Sequence, residues 1–153
     1  MANTPAVLVE RAVEIQAPIQ RVFAFVCDPR NDTVWCPKVQ SVEQIDGDAP
    51  APGARYAVLH RPVPLRPARR MDYRIVSWEP PRRIEWLEDD GHDVIAVTYL
   101  LEALEPVRTR FVQRDDAQLD VPRLLRPIMR RGIGRDIAKQ LRLLAEHLAA
   151  KLS

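Results

Sequence analysis

The chain has 153 residues, of which 46% are hydrophobic and 29% charged, with a formal net charge of +2 when histidine is neutral. A chain of that length buries roughly 70% of its unfolded surface on folding, so its core needs no metal or disulfide to hold it. The small net charge gives no basis for nucleic-acid binding, and no apolar run reaches the roughly 20 residues of a membrane span. Residues 1–5 are short and polar, with no apolar run behind them, so no signal peptide is expected and the expected location is cytoplasmic. Lysine occurs only at Lys38, Lys139 and Lys151, and the scattered arginines fit GC-rich coding better than a demand for guanidinium. Cys27 and Cys36 flank a short turn segment without a second pair or a zinc-type histidine spacing. They read as reduced thiols, and no metal or other cofactor is expected.

Residues 7–16 alternate, with Val9, Val13 and Ile15 beside Arg11 on one face and Glu10 and Glu14 on the other. That is the period of a half-buried strand. At Ala17-Pro18 the period changes. Proline suits a first helical position, and Ile19, Val22, Phe23 and Val26 recur at helical spacing until Asp28-Pro29. A second short helix is predicted over 31–35, stopped by Pro37. Strands follow over 39–45, 54–61, 70–78, 83–88, 93–104 and 108–119. Their breaks are Asp46-Gly47, the stiff run of Pro62, Pro64 and Pro67, Pro80-Pro81 and Asp90-Gly91. Asp120 is a suitable N-cap for a last helix, with Pro122 in its first turn. Ile133, Ile137, Leu141, Leu144, Leu148 and Leu152 form one apolar stripe along it, and Pro127, Gly132 and Gly134 are expected to bend or break its start. The fold class is therefore α+β: a seven-stranded antiparallel sheet, two short helices after strand 1, and one long helix able to cover the sheet's apolar face. One domain over 1–153 is expected.

This order, with several motifs, resembles the START-like superfamily, often labelled SRPBCC. The superfamily includes plant pollen-allergen proteins and bacterial polyketide cyclase/dehydrase-like proteins. The motifs are Ala17-Pro18 after the first strand, Cys27-Asp28-Pro29 with Trp35 and Pro37, and Pro52-Gly53 before a strand. Further along are Ile75, the run Trp78-Glu79-Pro80-Pro81-Arg82-Arg83-Ile84, Trp86 and Thr109-Arg110 before the long helix. The usual Gly-Thr-Arg of the family reads Val107-Arg108-Thr109-Arg110 here. The resemblance implies a helix-grip fold, with the curved sheet wrapped round the last helix and an internal cavity for a small hydrophobic ligand. It does not select among carriers, cyclases and co-chaperone-like domains.

Strand alternation nominates Tyr56, His60, Tyr73, Trp86, Glu88, Tyr99, Phe111 and Gln113 for the cavity wall, with Trp35 from the second helix. An aromatic wall with a few polar tips suits a flat apolar or aromatic ligand, whereas the bland reading has these rings filling the core. Trp35 reads first as packing between helices and sheet. His60 is the leading acid–base candidate because its ordinary pKa lies near neutrality, although a lone histidine more often sits on a rim. Glu88 is next, since a carboxylate facing an apolar cavity has a raised pKa, and Tyr73 is a third weak candidate. Asp89-Asp90 beside Glu88 suggests a solvated strand end instead. Arg123, Arg126, Arg130, Arg131 and Arg135 alternate with Leu124, Leu125, Ile128 and Met129. A solvated helix face is the simpler reading, ahead of contact with an anionic membrane. The expected partner is a small hydrophobic or aromatic metabolite, with no nucleic acid, bound by a monomer or homodimer. The alternatives are a cyclase or aromatase on a poly-β-ketone, and an interaction or membrane-docking module whose cavity has collapsed.

Overall fold

A computed structural model describes residues 6–61, 65, 67–119 and 121–150. The order is β1 (Val7–Ile15), α1 (Ile19–Val26), a 3-10 turn (Pro29–Asn31), α2 (Asp32–Trp35), β2 (Val39–Asp46), β3 (Arg55–His60) and β4 (Arg69–Glu79). Then come β5 (Arg83–Asp89), β6 (Val94–Glu105), β7 (Arg108–Gln118), a 3-10 turn (Arg123–Leu125) and α3 (Arg126–Ala150). The strands form one curved antiparallel sheet ordered β1-β7-β6-β5-β4-β3-β2. β1 and β2 are consecutive in sequence but occupy opposite edges, so α1 and α2 carry the chain across the sheet. Register shifts in the β2–β3, β4–β5 and β6–β7 ladders insert extra residues, which bend strands and increase their twist.

Local chemistry explains the junctions. Asp28 caps the 3-10 turn by accepting from the Arg30 backbone N–H at 3.0 Å, and Asn31 Nδ2 donates to the Phe25 carbonyl at 2.9 Å. Thr109 is fully buried and its hydroxyl donates to the Ala17 carbonyl at 2.8 Å, tying β7 to the entry of α1. After β5, Gly91 takes φ 92°, a region that glycine enters without steric cost. Asp89 there accepts from the Gly91 N–H, and Asp90 accepts from the N–H groups of His92 and Asp93. These two acids organise the turn.

The concave face of the sheet and α3 enclose the core. Ile137, Leu141, Leu144 and Leu148 are buried along the predicted stripe. Trp35, Tyr56, Trp86, Tyr99 and Phe111 are buried and linked ring to ring at centroid distances of 5.1–6.3 Å.

The start of the last helix differs from expectation. Pro122 precedes a 3-10 turn, and α3 begins at Arg126 with Pro127 in its first turn, where a missing N–H is harmless. The helix then runs unbroken through Gly132 and Gly134, because packing of its apolar face outweighs the weak helix propensity of glycine. At Gly134 the Arg11 guanidinium occupies the space that a Cβ would need. Asp120, Pro62, Pro64 and Leu152 lie outside the described residues.

Candidate functional site

A cavity of about 660 Å³ lies between the concave sheet face and the first half of α3. Its apolar wall includes Met71 from β4, Ile95 from β6, Ala117 from β7, and Met129, Ile133 and Ile137 from α3. A smaller depression of about 340 Å³ lies elsewhere, over Arg83, Glu85, Thr98 and Arg114.

The ladder registers place the polar groups. Tyr73, Glu88, Ile95 and Ala117 stand opposite one another across four strands. In the neighbouring rows Val97 faces Asp115, and Tyr99 faces Gln113. Tyr73, Glu88, Tyr99, Gln113 and Asp115 thus reach one cavity, joined from α2 by Asp32 and just beyond it by Cys36. Glu88 keeps some accessible surface because the cavity opens onto it.

These groups perturb one another. Desolvation pushes Glu88 well above the usual carboxylate range, and the nearby Asp115 and Asp32 add to the shift, while the Tyr73 hydroxyl offsets part of it. Asp32 is raised strongly by burial. Asp115 is raised from 3.8 to about 6 by burial, partly offset by the Gln113 amide that donates to it at 3.0 Å. The Cys36 thiol and the Tyr73 and Tyr99 hydroxyls are pushed up by burial and then by the surrounding acids. Burial thus favours the protonated forms of these wall carboxyls, although Asp115, raised only to about 6, is mostly ionised at pH 7. Such groups can donate or accept a proton at a polar atom of a bound molecule.

His60 belongs to the rim. Burial, and then the Lys38 ammonium, push its pKa down to about 4, while Asp136 and Asp90 act in the opposite direction. It is neutral at pH 7, and its charged neighbours do not include Glu88. Lys38 pairs with Asp136 of α3, and Arg69 with Asp90 at 3.2 Å. Arg123, Arg130, Arg131 and Arg135 are exposed, and so are Leu124, Leu125 and Ile128 beside them.

Of the nine nominated wall residues, the structure brings His60, Tyr73, Glu88, Tyr99 and Gln113 to the cavity. Trp35, Tyr56, Trp86 and Phe111 lie outside that lining, Trp35 in the packing role that its sequence context favours. They point to the same side of the sheet but pack against one another and Tyr99, so they form a solid end beside the void. Glu88 does not sit at a solvated strand end, because the turn engages Asp89 and Asp90 instead. Sequence reasoning missed Asp32, Cys36 and Asp115. For Asp115 a signal existed: the alternation that turns Phe111 and Gln113 inward continues to it, but Asp115-Asp116 reads as a solvated pair. Asp32 in a four-residue helix offered no such signal. Among the described residues, no three His, Cys, Asp or Glu side chains are grouped to hold a metal ion, and no helix is long and apolar enough to cross a membrane.

Comparison with known proteins agrees with this architecture. The Zhui aromatase/cyclase from Streptomyces sp. R1128 is 15% identical, with a TM-score of 0.79 over 95% of each chain. A START superfamily protein from Mycobacterium smegmatis is 16% identical, with a TM-score of 0.75 over 95% of this chain and 99% of its own. The di-domain ARO/CYC StfQ from the steffimycin biosynthetic pathway is 12% identical, with a TM-score of 0.77 over 96% of this chain and 52% of its own. At such identities these likenesses establish a shared START-like fold. No curated protein sequence matches the chain. A family described as polyketide cyclase / dehydrase and lipid transport matches residues 6–149, and with nearly the whole chain matched, the protein belongs to that family.

Proposed function

We propose that the protein binds a small, mainly apolar or aromatic metabolite in the cavity between the sheet and α3. The observation that carries this reading is the void itself. At about 660 Å³ it falls within the roughly 300–1,000 Å³ of ligand pockets, with apolar walls and a few convergent polar groups. Family membership supports a hydrophobic ligand of polyketide-like or lipid-like character. A cavity of this size also argues against a docking module with a collapsed interior.

A second reading, a cyclase or aromatase acting on a poly-β-ketone, draws support from the inner carboxyls. Asp115, with a pKa of about 6, is close enough to neutrality to exchange a proton with an enolisable ketone. In that reading Asp115 and Glu88 are the acid–base groups and His60 is not, because a pKa near 4 makes it a weak base.

One experiment separates the two. A panel of aromatic polyketides, sterols and fatty acids is screened by thermal shift, and poly-β-ketone mimics are assayed for turnover by wild type, Asp115→Asn and Glu88→Gln. A ligand at a hundredfold excess over its dissociation constant adds about 2.7 kcal/mol, a rise of several degrees for a domain of this size. Binding without turnover is expected. Turnover that falls about 100-fold or more in Asp115→Asn, with binding kept, establishes the enzyme reading instead.

A further inference from the structure

The cavity opposes the charge of the chain that builds it. The protein is net positive by +2, yet the cavity wall presents six carboxyl side chains against two lysine or arginine side chains. Both cations are already engaged at the rim, Lys38 by Asp136 and Arg69 by Asp90. Arg11 stands opposite Gln113 in the β1–β7 ladder but lies across Gly134 of α3. Among the described residues, no lysine or arginine of the wall is left to answer Asp32, Glu88 and Asp115.

A second observation is independent of that count. Gln113 Oε1 has no hydrogen-bond partner, although the residue is only 4% exposed, and for Asp32, 6% exposed, the Trp35 indole N–H is the side-chain donor that acts on the carboxyl. The Gln113 amide nitrogen is occupied by Asp115, so the group left over is an acceptor. A buried acceptor without a donor is costly, and a site that carries one is complete only when a donor arrives. Tyr73 and Tyr99 also line the wall, and an aromatic ring attracts a cation placed over its face.

We propose that the inner end of this cavity is a cation-recognition site, which takes a protonated amine carried on an aromatic or apolar body. The proposal rests on the reading of the cavity as a ligand site and specifies the ligand class. The ammonium sits at the end of the cavity lined by Asp32, Gln113 and Asp115, where its N–H groups meet side-chain acceptors. The arriving charge favours ionisation of an adjacent carboxyl, whose proton leaves to solvent, and the contact becomes a charge-assisted hydrogen bond. Met71, Ile95, Ile133 and Ile137 hold the apolar body. A neutral hydroxyl satisfies the bare acceptor but leaves the carboxyl cluster without a counter-charge. A carboxylate adds a like charge.

The test is a matched series on one body: naphthylethylamine, naphthylethanol, naphthylpropionate and ethylnaphthalene, titrated into the wild-type protein by calorimetry. The amine is expected to bind at least about tenfold tighter than the alcohol, a difference of about 1.4 kcal/mol, and the carboxylate weakest. Asp32→Asn and Asp115→Asn should each remove most of the amine's advantage while leaving the alcohol's affinity in place. The wild-type ranking needs neither variant, so a folding failure in one does not blunt it. An alcohol or ethylnaphthalene that binds as tightly as the amine, or a carboxylate that binds tightest, overturns the cation site and leaves the ligand cavity standing. Failure of all four to bind overturns both.

Discussion

The two ends of the interior are built from the same strands and behave oppositely. β5 contributes Trp86 to the aromatic end and Glu88, two residues on, to the cavity. β7 contributes Phe111 to the first and Asp115 to the second. Strand alternation turns all four to one face, so alternation does not distinguish them. The covering helix does. The second half of α3 buries Leu141, Leu144 and Leu148 in the core. The first half passes over the cavity with Gly132, where an added Cβ would meet nothing within 4 Å. One amphipathic helix thus packs on one half of the sheet and roofs a cavity over the other, and under that roof Asp32, Glu88 and Asp115 come together.

Truncation in the closed end should have the largest effect. Phe111→Ala should cost about 3–5 kcal/mol and Leu144→Ala about 2–5 kcal/mol in urea denaturation, because both side chains are fully buried. Losses below about 1 kcal/mol would mean that the aromatic end is as loosely packed as the cavity.

Acids under the roof should respond in the opposite sense. Burial raises Asp115 from 3.8 to about 6, so between about pH 4 and pH 6 the folded chain holds a proton that the unfolded chain has released. Its contribution is therefore present below about pH 4, is lost as pH rises through about 6, and amounts to on the order of 3 kcal/mol. Asp115→Asn should match wild type near pH 4 and exceed it in stability at pH 7. A variant less stable than wild type at pH 7 would show that the carboxylate is favourably engaged in the folded chain.

The smallest effect belongs to the rim. Lys38 and Asp136 form a pair whose side chains are 33% and 41% exposed, so Lys38→Met should change stability by less than about 1 kcal/mol. It should nevertheless raise the His60 pKa, followed by NMR titration, because the lysine charge is the second cause, after burial, of that depression. An unmoved His60 would separate the histidine from the ion pair and sharpen the boundary between rim and interior.

Much of this was written locally in the chain. Period-two patterning fixed the seven strands and their buried faces, and proline, glycine and aspartate placed the breaks, because these depend on neighbours a few residues apart. The spacing of Ile137, Leu141, Leu144 and Leu148 identified the helix face that packs. Tertiary structure decided what alternation cannot express: which inward residues meet a helix and which meet a void. It left Trp35, Tyr56, Trp86 and Phe111 solid, and assembled Asp32, Glu88 and Asp115 from three elements 27–83 positions apart into one acidic pocket. It also set His60 beside Lys38, where burial and the lysine charge push its pKa down to about 4. The physical reason is that a pKa and a cavity depend on what surrounds a side chain in three dimensions, whereas a strand period depends only on its own backbone.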